Sequence, residues 1–152
     1  MQRVIISDTS CLITLNKIGA LDLLQKLFNT VTVTQEVVSE FEESLPEWII
    51  VKEPSNKNYQ RILEATLDVG EASAIALAIE SVDCLLIIDE FKGRKFAESL
   101  GLKITGTLGV LVLAKQLGHI STLKIFLDKI KLTNFRLNNE LIQSALKQAG
   151  EL

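Results

Sequence analysis

The segment Arg3-Val4-Ile5-Ile6-Ser7-Asp8-Thr9-Ser10 runs from an apolar stretch directly into a carboxylate. Its apolar residues, Val4 to Ile6, are typical of a strand that is buried on both faces of a sheet. Apolar side chains recur at helical spacing after Asp8, so Asp8 lies where a strand ends and a helix begins. Because ligands bind at the carboxyl ends of the strands in open α/β sheets, we expect Asp8 to belong to a functional site.

Strand-like and helical segments alternate along the rest of the chain. Strands are predicted at 30–33, 48–51, 85–88 and 102–105. Helices are predicted at 9–16, 20–28, 35–43, 56–66, 68–80, 90–100, 107–117, 121–130 and 139–149. This alternation predicts an α/β fold, a three-layer α/β/α sandwich with a central, mainly parallel sheet.

The length of the chain favours a single domain. We expect residues 1–152 to form one unit, in which the C-terminal helices at about 121–152 pack on the sandwich or extend it. Within the helix at 56–66, Tyr59, Ile62 and Leu63 are predicted to face inward. The apolar helix at 21–28 is a candidate interface with a partner, and core packing explains it equally well.

The composition is that of a globular protein. Hydrophobic residues make up 47% of the 152 residues, and the formal net charge is -3. No apolar run is long enough to span a membrane, and the N-terminus lacks the pattern of a signal peptide. Cys11 and Cys84 are predicted to be reduced and buried, so we expect a cytoplasmic protein with no membrane partner. The acidic balance argues against a sequence-reading DNA-binding protein but permits a local basic patch.

Asp89 repeats the context of Asp8. It follows the apolar run at 85–88 and precedes a predicted helix. If both strands are parallel, both carboxylates emerge at the same edge, where they repel each other unless a cation lies between them. Oxygen ligands of this kind suit Mg²⁺ or Mn²⁺. Each Asp is also a good helix N-cap, but two matching contexts favour a shared site.

Two glutamates are further candidates for this edge. Glu71 opens the alanine-rich helix at 68–80, although its spacing from Asp68 is also that of a capping box. On the helix at 35–43, Glu40 flanks the apolar face, whereas Glu36 and Glu43 point towards solvent. Glu40 is therefore the acid of that helix best placed to reach a cleft.

Basic and hydroxyl side chains lie near the same segments. Three basic residues follow Asp89 on one helix and are candidates to hold a phosphate backbone, although a solvated helix face explains them equally well: Lys92, Arg94 and Lys95. Four hydroxyl residues near strand ends are candidates to orient acids or water, and helix capping explains them as well: Thr9, Ser10, Thr105 and Thr107.

The order and spacing of these motifs resemble the PIN-domain family, which includes the VapC-like toxin ribonucleases of toxin–antitoxin pairs. The resemblance spans nearly the whole chain, although no single motif is specific. It is carried by Ile6-Ser7-Asp8-Thr9-Ser10, Val37-Val38-Ser39-Glu40, Gly70-Glu71-Ala72-Ser73-Ala74-Ile75-Ala76-Leu77-Ala78 and Leu86-Ile87-Ile88-Asp89-Glu90. Two later segments are similar to one branch of the family: Gly93-Arg94-Lys95-Phe96-Ala97 and Thr105-Gly106-Thr107-Leu108-Gly109-Val110-Leu111.

The resemblance implies a metal-dependent endoribonuclease. It implies that four acids cluster around Mg²⁺ or Mn²⁺ as catalytic and metal-binding residues: Asp8, Glu40, Glu71 and Asp89. It also implies cleavage of RNA to a 5′-phosphate and a 3′-hydroxyl, by a homodimer that an antitoxin protein inhibits. The sequence departs from the pattern twice. Glu71 stands where many members carry Asp, and Glu90 beside Asp89 is a second candidate ligand.

Other functional classes fit less well or remain open. A phosphatase of the haloacid-dehalogenase type needs a second Asp two residues after the first, where this chain has Ser10. A receiver domain needs an adjacent acid pair near the first strand, where Asp8 stands alone. The remaining alternative is a PIN-like binding or regulatory module with little or no catalysis, which acts through a partner protein.

Overall fold

The computed structural model describes residues 3–152, and a five-stranded, all-parallel sheet in the order β3-β2-β1-β4-β5 lies at its centre. The strands are β1 Val4–Ser7, β2 Val31–Val33, β3 Ile49–Val51, β4 Cys84–Ile87 and β5 Lys103–Thr105. The helices are α1 Thr9–Lys17, α2 Asp22–Phe28, α3 Gln35–Phe41, α4 Lys57–Leu63, α5 Val69–Glu80, α6 Phe91–Ser99, α7 Thr107–Gln116, α8 Leu123–Ile130 and α9 Asn139–Gln148.

Each face of the sheet has its own apolar core, because successive strand residues point to opposite faces. Ile5 and Ile87 face a core that includes buried side chains of α1, α2, α7, α8 and α9. Ile6 and Leu86 face a second core, built mainly from α5 with contributions from α4 and α6. The three layers confirm the predicted α/β/α sandwich.

The alanine-rich α5 packs closely against the sheet. Its residues from Gly70 to Ala78 are all buried, as its nearly uniform apolar character predicts. A hydrogen bond of 2.6 Å between Thr34 and Ser73 joins α5 to the residue that caps α3. The N-terminal end of α5 thereby lies beside the ends of the central strands.

The register of β1 and β4 brings the predicted acids together. Ser7 pairs with Ile87 at the last position of both strands. The ladder continues one step further, because the Asp8 amide donates to the Ile87 carbonyl at 2.9 Å. Asp8 and Asp89 therefore emerge at the same edge of the sheet.

The C-terminal helices cover part of the first core. Leu123 and Leu127 of α8 and Ala145 of α9 are buried in it. Glu151 fixes this arrangement: its carboxylate accepts hydrogen bonds from the amide of Leu123 at 2.5 Å and from Lys115 Nζ at 2.9 Å. The predicted single domain also includes residues 1 and 2, which lie outside the described range.

Two local expectations, both on the helix predicted at 56–66, differ from the structure, whereas the apolar helix at 21–28 follows its core-packing interpretation. Tyr59 is 45% exposed and Ile62 is 70% exposed, so only Leu63 of the predicted trio is buried. Gln60 is buried in their place, because its amide donates to the Glu36 carboxylate. The apolar helix at 21–28 belongs to the first core through Leu23 and Leu24.

Helix and strand boundaries differ from the predicted ones mostly by one to three residues. Between residues 3 and 152, the structure has no helix with the length and apolar character that crossing a bilayer requires.

Candidate active site

Asp8 is buried at the carboxyl end of β1. It caps α1, since its Oδ1 accepts a hydrogen bond from the Cys11 amide at 3.0 Å. Its Oδ2 lies 3.4 Å from the amide nitrogen of Asp89, which donates to it. Burial, followed by the charge of Asp89, raises the pKa of the Asp8 carboxyl to about 8. Asp8 therefore caps α1 and also contacts Asp89 at the shared edge of the sheet.

Asp89 is held by the start of α7. Its Oδ1 accepts from the Thr107 amide at 2.7 Å and its Oδ2 accepts from the Thr107 hydroxyl at 2.6 Å. Burial raises the pKa of Asp89, while the two Thr107 bonds and the nearby Arg94 oppose the rise. A Cβ at Gly106 would lie 2.6 Å from Asp89 Oδ1, so glycine is what allows this close approach.

Glu71 lies on α5 beside the aspartates and is only 6% exposed. Its Oε2 is buried and has no hydrogen-bond partner among the residues that the structure describes. Burial, then a hydrogen bond and charge repulsion from Asp68, raises the pKa of Glu71 to about 8, with a further contribution from the charge of Asp8. The Glu71 amide also donates to Asp68 Oδ1 at 2.8 Å, so the expected helix cap is present as well.

Glu40 reaches the same edge from α3. Its Oε1 accepts a hydrogen bond from the Thr9 hydroxyl at 2.5 Å. The carboxylate lies over the first turn of α5, where a Cβ at Gly70 would be 2.1 Å from Oε1. Glu40 thus binds the residue next to Asp8.

Of the remaining predicted acidic and basic residues, Arg94 makes the closest contact with the site. It donates to the Ile88 carbonyl at 2.8 Å. Glu90 is exposed at the start of α6 and makes no side-chain cap hydrogen bond. Lys92 is exposed, and Lys95 lies 5.1 Å from the centre of the Phe91 ring. Arg94 also lines a cavity together with Asp89.

The four hydroxyl residues have different environments. Thr9 binds Glu40, and Thr107 binds Asp89. The capping interpretation of Thr107 is wrong, because Gly106 is the N-cap of α7 and Thr107 is its first helical residue, whose hydroxyl binds Asp89 instead. Ser10 is exposed, and the Thr105 hydroxyl lies against Gly109.

Two cavities border Asp89. One has a volume of about 510 Å³ and is lined by residues that include Lys17, Glu90 and Arg136. The other has a volume of about 360 Å³ and is lined by residues that include Arg94 and Arg136. Sequence reasoning missed Lys17 and Arg136, because only the folded chain brings residues so far apart in sequence to one site.

A family model described as a PIN domain matches residues 4–151 of the chain. The chain belongs to the PIN-domain family. This confirms the resemblance and agrees with the five-stranded parallel sheet flanked by helices. No curated protein matches the sequence. The PIN domain is a nuclease-type fold, and PIN-domain nucleases typically use divalent metals.

The donor set of this PIN domain suits a divalent metal ion that keeps water ligands. Within residues 3–152, no three acidic, histidine or cysteine side chains are arranged as a ready cluster for a metal. The buried Asp8 and the half-buried Asp89 supply hard oxygen donors of like charge, and Glu71 adds a buried oxygen that has no partner among the described residues. Mg²⁺ is usually bound through one or two carboxylates, with water and phosphate completing its coordination.

Proposed function

We propose that this PIN domain is a Mg²⁺- or Mn²⁺-dependent endoribonuclease that hydrolyses phosphodiester bonds in RNA. The observation that carries the proposal is the contact between the buried Asp8 and the half-buried Asp89, which joins the ends of two adjacent parallel strands. Burial raises the pKa of both carboxyl groups. A buried carboxylate beside a second, half-buried one is costly to keep charged, and a bound cation would reduce that cost.

Each acid has a separate task in this proposal. Asp8 and Asp89 would hold the cation, and Thr107 keeps Asp89 oriented through its two hydrogen bonds. Glu71, whose buried Oε2 has no hydrogen-bond partner among the described residues, would supply a further oxygen to the cation or to a water bound to it. Glu40 accepts a hydrogen bond from Thr9 and thereby supports the residue next to Asp8. We assign the ligand role to Asp89 and not to Glu90, because Glu90 is exposed and has no hydrogen bond that orients it.

A bound Mg²⁺ or Mn²⁺ supplies Lewis-acid polarisation of the scissile phosphate and lowers the pKa of a bound water. The chain itself contributes orientation and a partly dry environment. Arg94 is fixed on the Ile88 carbonyl at 2.8 Å and offers its remaining N–H groups to a phosphate beside Asp89.

Replacing Asp8 by asparagine tests the proposal. We expect Asp8→Asn to abolish Mn²⁺-dependent cleavage of RNA and to weaken Mn²⁺ binding in calorimetry, while circular dichroism shows an unchanged fold. Asp128→Asn is the matched control, because Asp128 lies on α8 in an exposed ion pair of 3.9 Å with Lys131. Retained metal-dependent cleavage by Asp8→Asn would overturn the assignment.

The alternative is a PIN-like binding or regulatory module with little or no catalysis. Two observations favour it: among residues 3–152 no three candidate ligands form a ready metal cluster, and Glu40 accepts a hydrogen bond from Thr9. Titration of the wild-type protein with Mn²⁺, followed by incubation with RNA, separates the two functions. Metal binding that depends on Asp8 without cleavage of any RNA supports the binding module.

We further propose that the chain is the toxin of a toxin–antitoxin pair, active in the cytoplasm as a homodimer that a cognate antitoxin inhibits. The motifs that resemble toxin ribonucleases support this, as does the match to a PIN domain over residues 4–151. Induced expression is expected to arrest bacterial growth, and Asp8→Asn to relieve the arrest. Light scattering of the purified protein measures its oligomeric state, and a monomer would contradict the dimer.

A further inference from the structure

The segment between α8 and α9 forms one wall of both cavities beside Asp89. Phe135 and Arg136 line the cavity of about 510 Å³ and also the cavity of about 360 Å³. Asp89 lines both as well. Arg136 therefore lies between the two cavities, which both border the proposed metal ligand Asp89.

This segment is anchored to the body of the protein. The Thr133 hydroxyl donates to the Ile130 carbonyl at 2.6 Å and accepts from the Phe135 amide at 3.1 Å. The Phe135 side chain is half-buried and packs against the first core. Arg136 follows Phe135 directly and is exposed, so its guanidinium is accessible to a ligand.

Three cations lie around Asp89 along these cavities. Lys17 lines the larger cavity, Arg94 lines the smaller one, and Arg136 lines both. In the part of the chain that the structure describes, none of the three forms an ion pair. Glu90 is the other acid beside Asp89 in the larger cavity. Unpaired cations gathered in this way are notable in a chain whose formal net charge is -3.

We propose that Lys17, Arg136 and Arg94 form a track for the backbone of single-stranded RNA, which crosses Asp89 from the larger cavity to the smaller one. The proposal rests on the proposed ribonuclease function and adds the path of its substrate. Single-stranded nucleic acids bind in positively charged grooves that follow the phosphate backbone. Arg136 is the central residue, because it reaches the phosphates on both sides of the cleaved bond.

Binding of a fluorescein-labelled single-stranded RNA of about 12 nucleotides tests the track. Fluorescence anisotropy is measured in EDTA, so that no metal-dependent cleavage takes place. We expect Arg136→Gln and Lys17→Gln each to weaken binding about fivefold and to reduce the slope of log affinity against log salt by about 0.7, because each removes one phosphate contact.

Lys103→Gln is the matched control. Lys103 is exposed and begins β5, at the edge of the sheet opposite to Asp89, so its removal is expected to leave RNA affinity unchanged. Lys17 and Arg136 are exposed side chains without ion pairs among the described residues, so thermal melting should be the same for all variants.

The outcomes separate this inference from the proposed function. The track is overturned if wild-type protein does not bind the RNA, or if Arg136→Gln keeps the wild-type affinity and salt slope. RNA that binds through Lys17 and Arg136 but is never cut in Mn²⁺ supports the track and contradicts the ribonuclease. If the wild-type protein cleaves RNA and Arg136→Gln binds RNA with unchanged affinity, the ribonuclease function is supported and the track is contradicted.

Discussion

At the scale of single residues, the ionised form of Asp8 is energetically unfavourable in the folded protein. Asp8 is 1% exposed and faces Asp89, so its ionised form loses hydration and meets a like charge. Two amides, from Cys11 and Asp89, offset only part of this cost. In the metal-free protein, the ionised Asp8 destabilises the fold that presents it.

The pH dependence of stability follows from the raised pKa of Asp8. The carboxyl has a pKa of 3.8 when unperturbed and about 8 in the fold, so between these values the folded state holds a proton that the unfolded state has released. The contribution of Asp8 to the stability of the metal-free protein therefore falls as pH rises from about 4 to about 8. Thermal melting in EDTA should show Asp8→Asn gaining on the wild type across this range, and parallel curves would contradict the prediction.

Thr107 tests how Asp89 is held. Thr107→Val keeps the amide bond to Asp89 Oδ1 and removes the hydroxyl bond to Oδ2. Because that bond lowers the pKa of Asp89, its loss should raise this pKa further and weaken Mn²⁺ binding at neutral pH. The free energy of unfolding should fall by about 1–2 kcal/mol. Calorimetry and denaturant titration measure both effects, and Thr66→Val, at an exposed turn, is the control.

At the scale of elements, predictions succeeded where one local signal dominates. Ile6 and Leu86 lie in uninterrupted apolar runs, which a central parallel strand requires, so β1, β4 and the acids after them were predictable. The prediction that Tyr59 and Ile62 face inward was wrong, because helical spacing identifies the buried face of a helix only when the buried residues are apolar. Here Gln60 is buried, since Glu36 on another helix accepts its hydrogen bond.

The site was predictable only in part for the same reason. The aspartates have a strand-to-helix context that the sequence displays, whereas the bond between Thr107 and Asp89 depends on how α7 is placed. Lys17 and Arg136 have no local signal at all. Their position beside Asp89 follows from the fold, in which α1 and the segment after α8 line one cavity together with Asp89.

The first turn of α8 is capped by a residue from outside the helix. Thr122 makes no side-chain cap bond, and the Glu151 carboxylate binds the amides of Leu123 and Lys124 instead. These bonds lower the pKa of Glu151 to about 2, with the Leu123 amide as the largest cause. A carboxyl with a lowered pKa stabilises the fold above its unperturbed pKa of 4.5 and loses this effect as pH falls towards 2.

We expect Glu151→Gln to lower the free energy of unfolding by about 1–2 kcal/mol at neutral pH, as loss of a good cap does. The difference from the wild type should shrink as pH falls from 4.5 to about 2. Chemical denaturation at several pH values measures it. Glu98→Gln, at an exposed position of α6, should show no such trend, and a constant difference for Glu151→Gln would contradict the assignment of the cap.

At the scale of the whole molecule, the C-terminal helices share a core with the sheet. Leu127 of α8 is 2% exposed and belongs to the same cluster as Ile5 and Ile87 of the central strands. A helix that only extended the sandwich would have an apolar core separate from these strand residues. We therefore propose that the described chain unfolds as one cooperative unit.

Truncation of Leu127 tests this unity. Leu127→Ala should destabilise the protein by about 2–5 kcal/mol through the cavity that it creates. If the chain is one unit, circular dichroism and the fluorescence of Trp48 will report a single transition at the same lowered temperature. A separate early transition seen by only one of these probes would show that residues 121–152 unfold independently. Ile125→Ala, at a position of α8 that is 52% exposed, is the control.

The contact between Asp8 and Asp89 also has a kinetic consequence. The two residues are 81 positions apart in the chain and meet only when β1 and β4 are paired in parallel. Pairings of such long sequence separation form slowly, because loop closure precedes the contacts that reward it. The capacity to bind a divalent cation should therefore arise late in refolding, after the local helices. A stopped-flow signal from Mn²⁺ binding during refolding would then report when β1 pairs with β4.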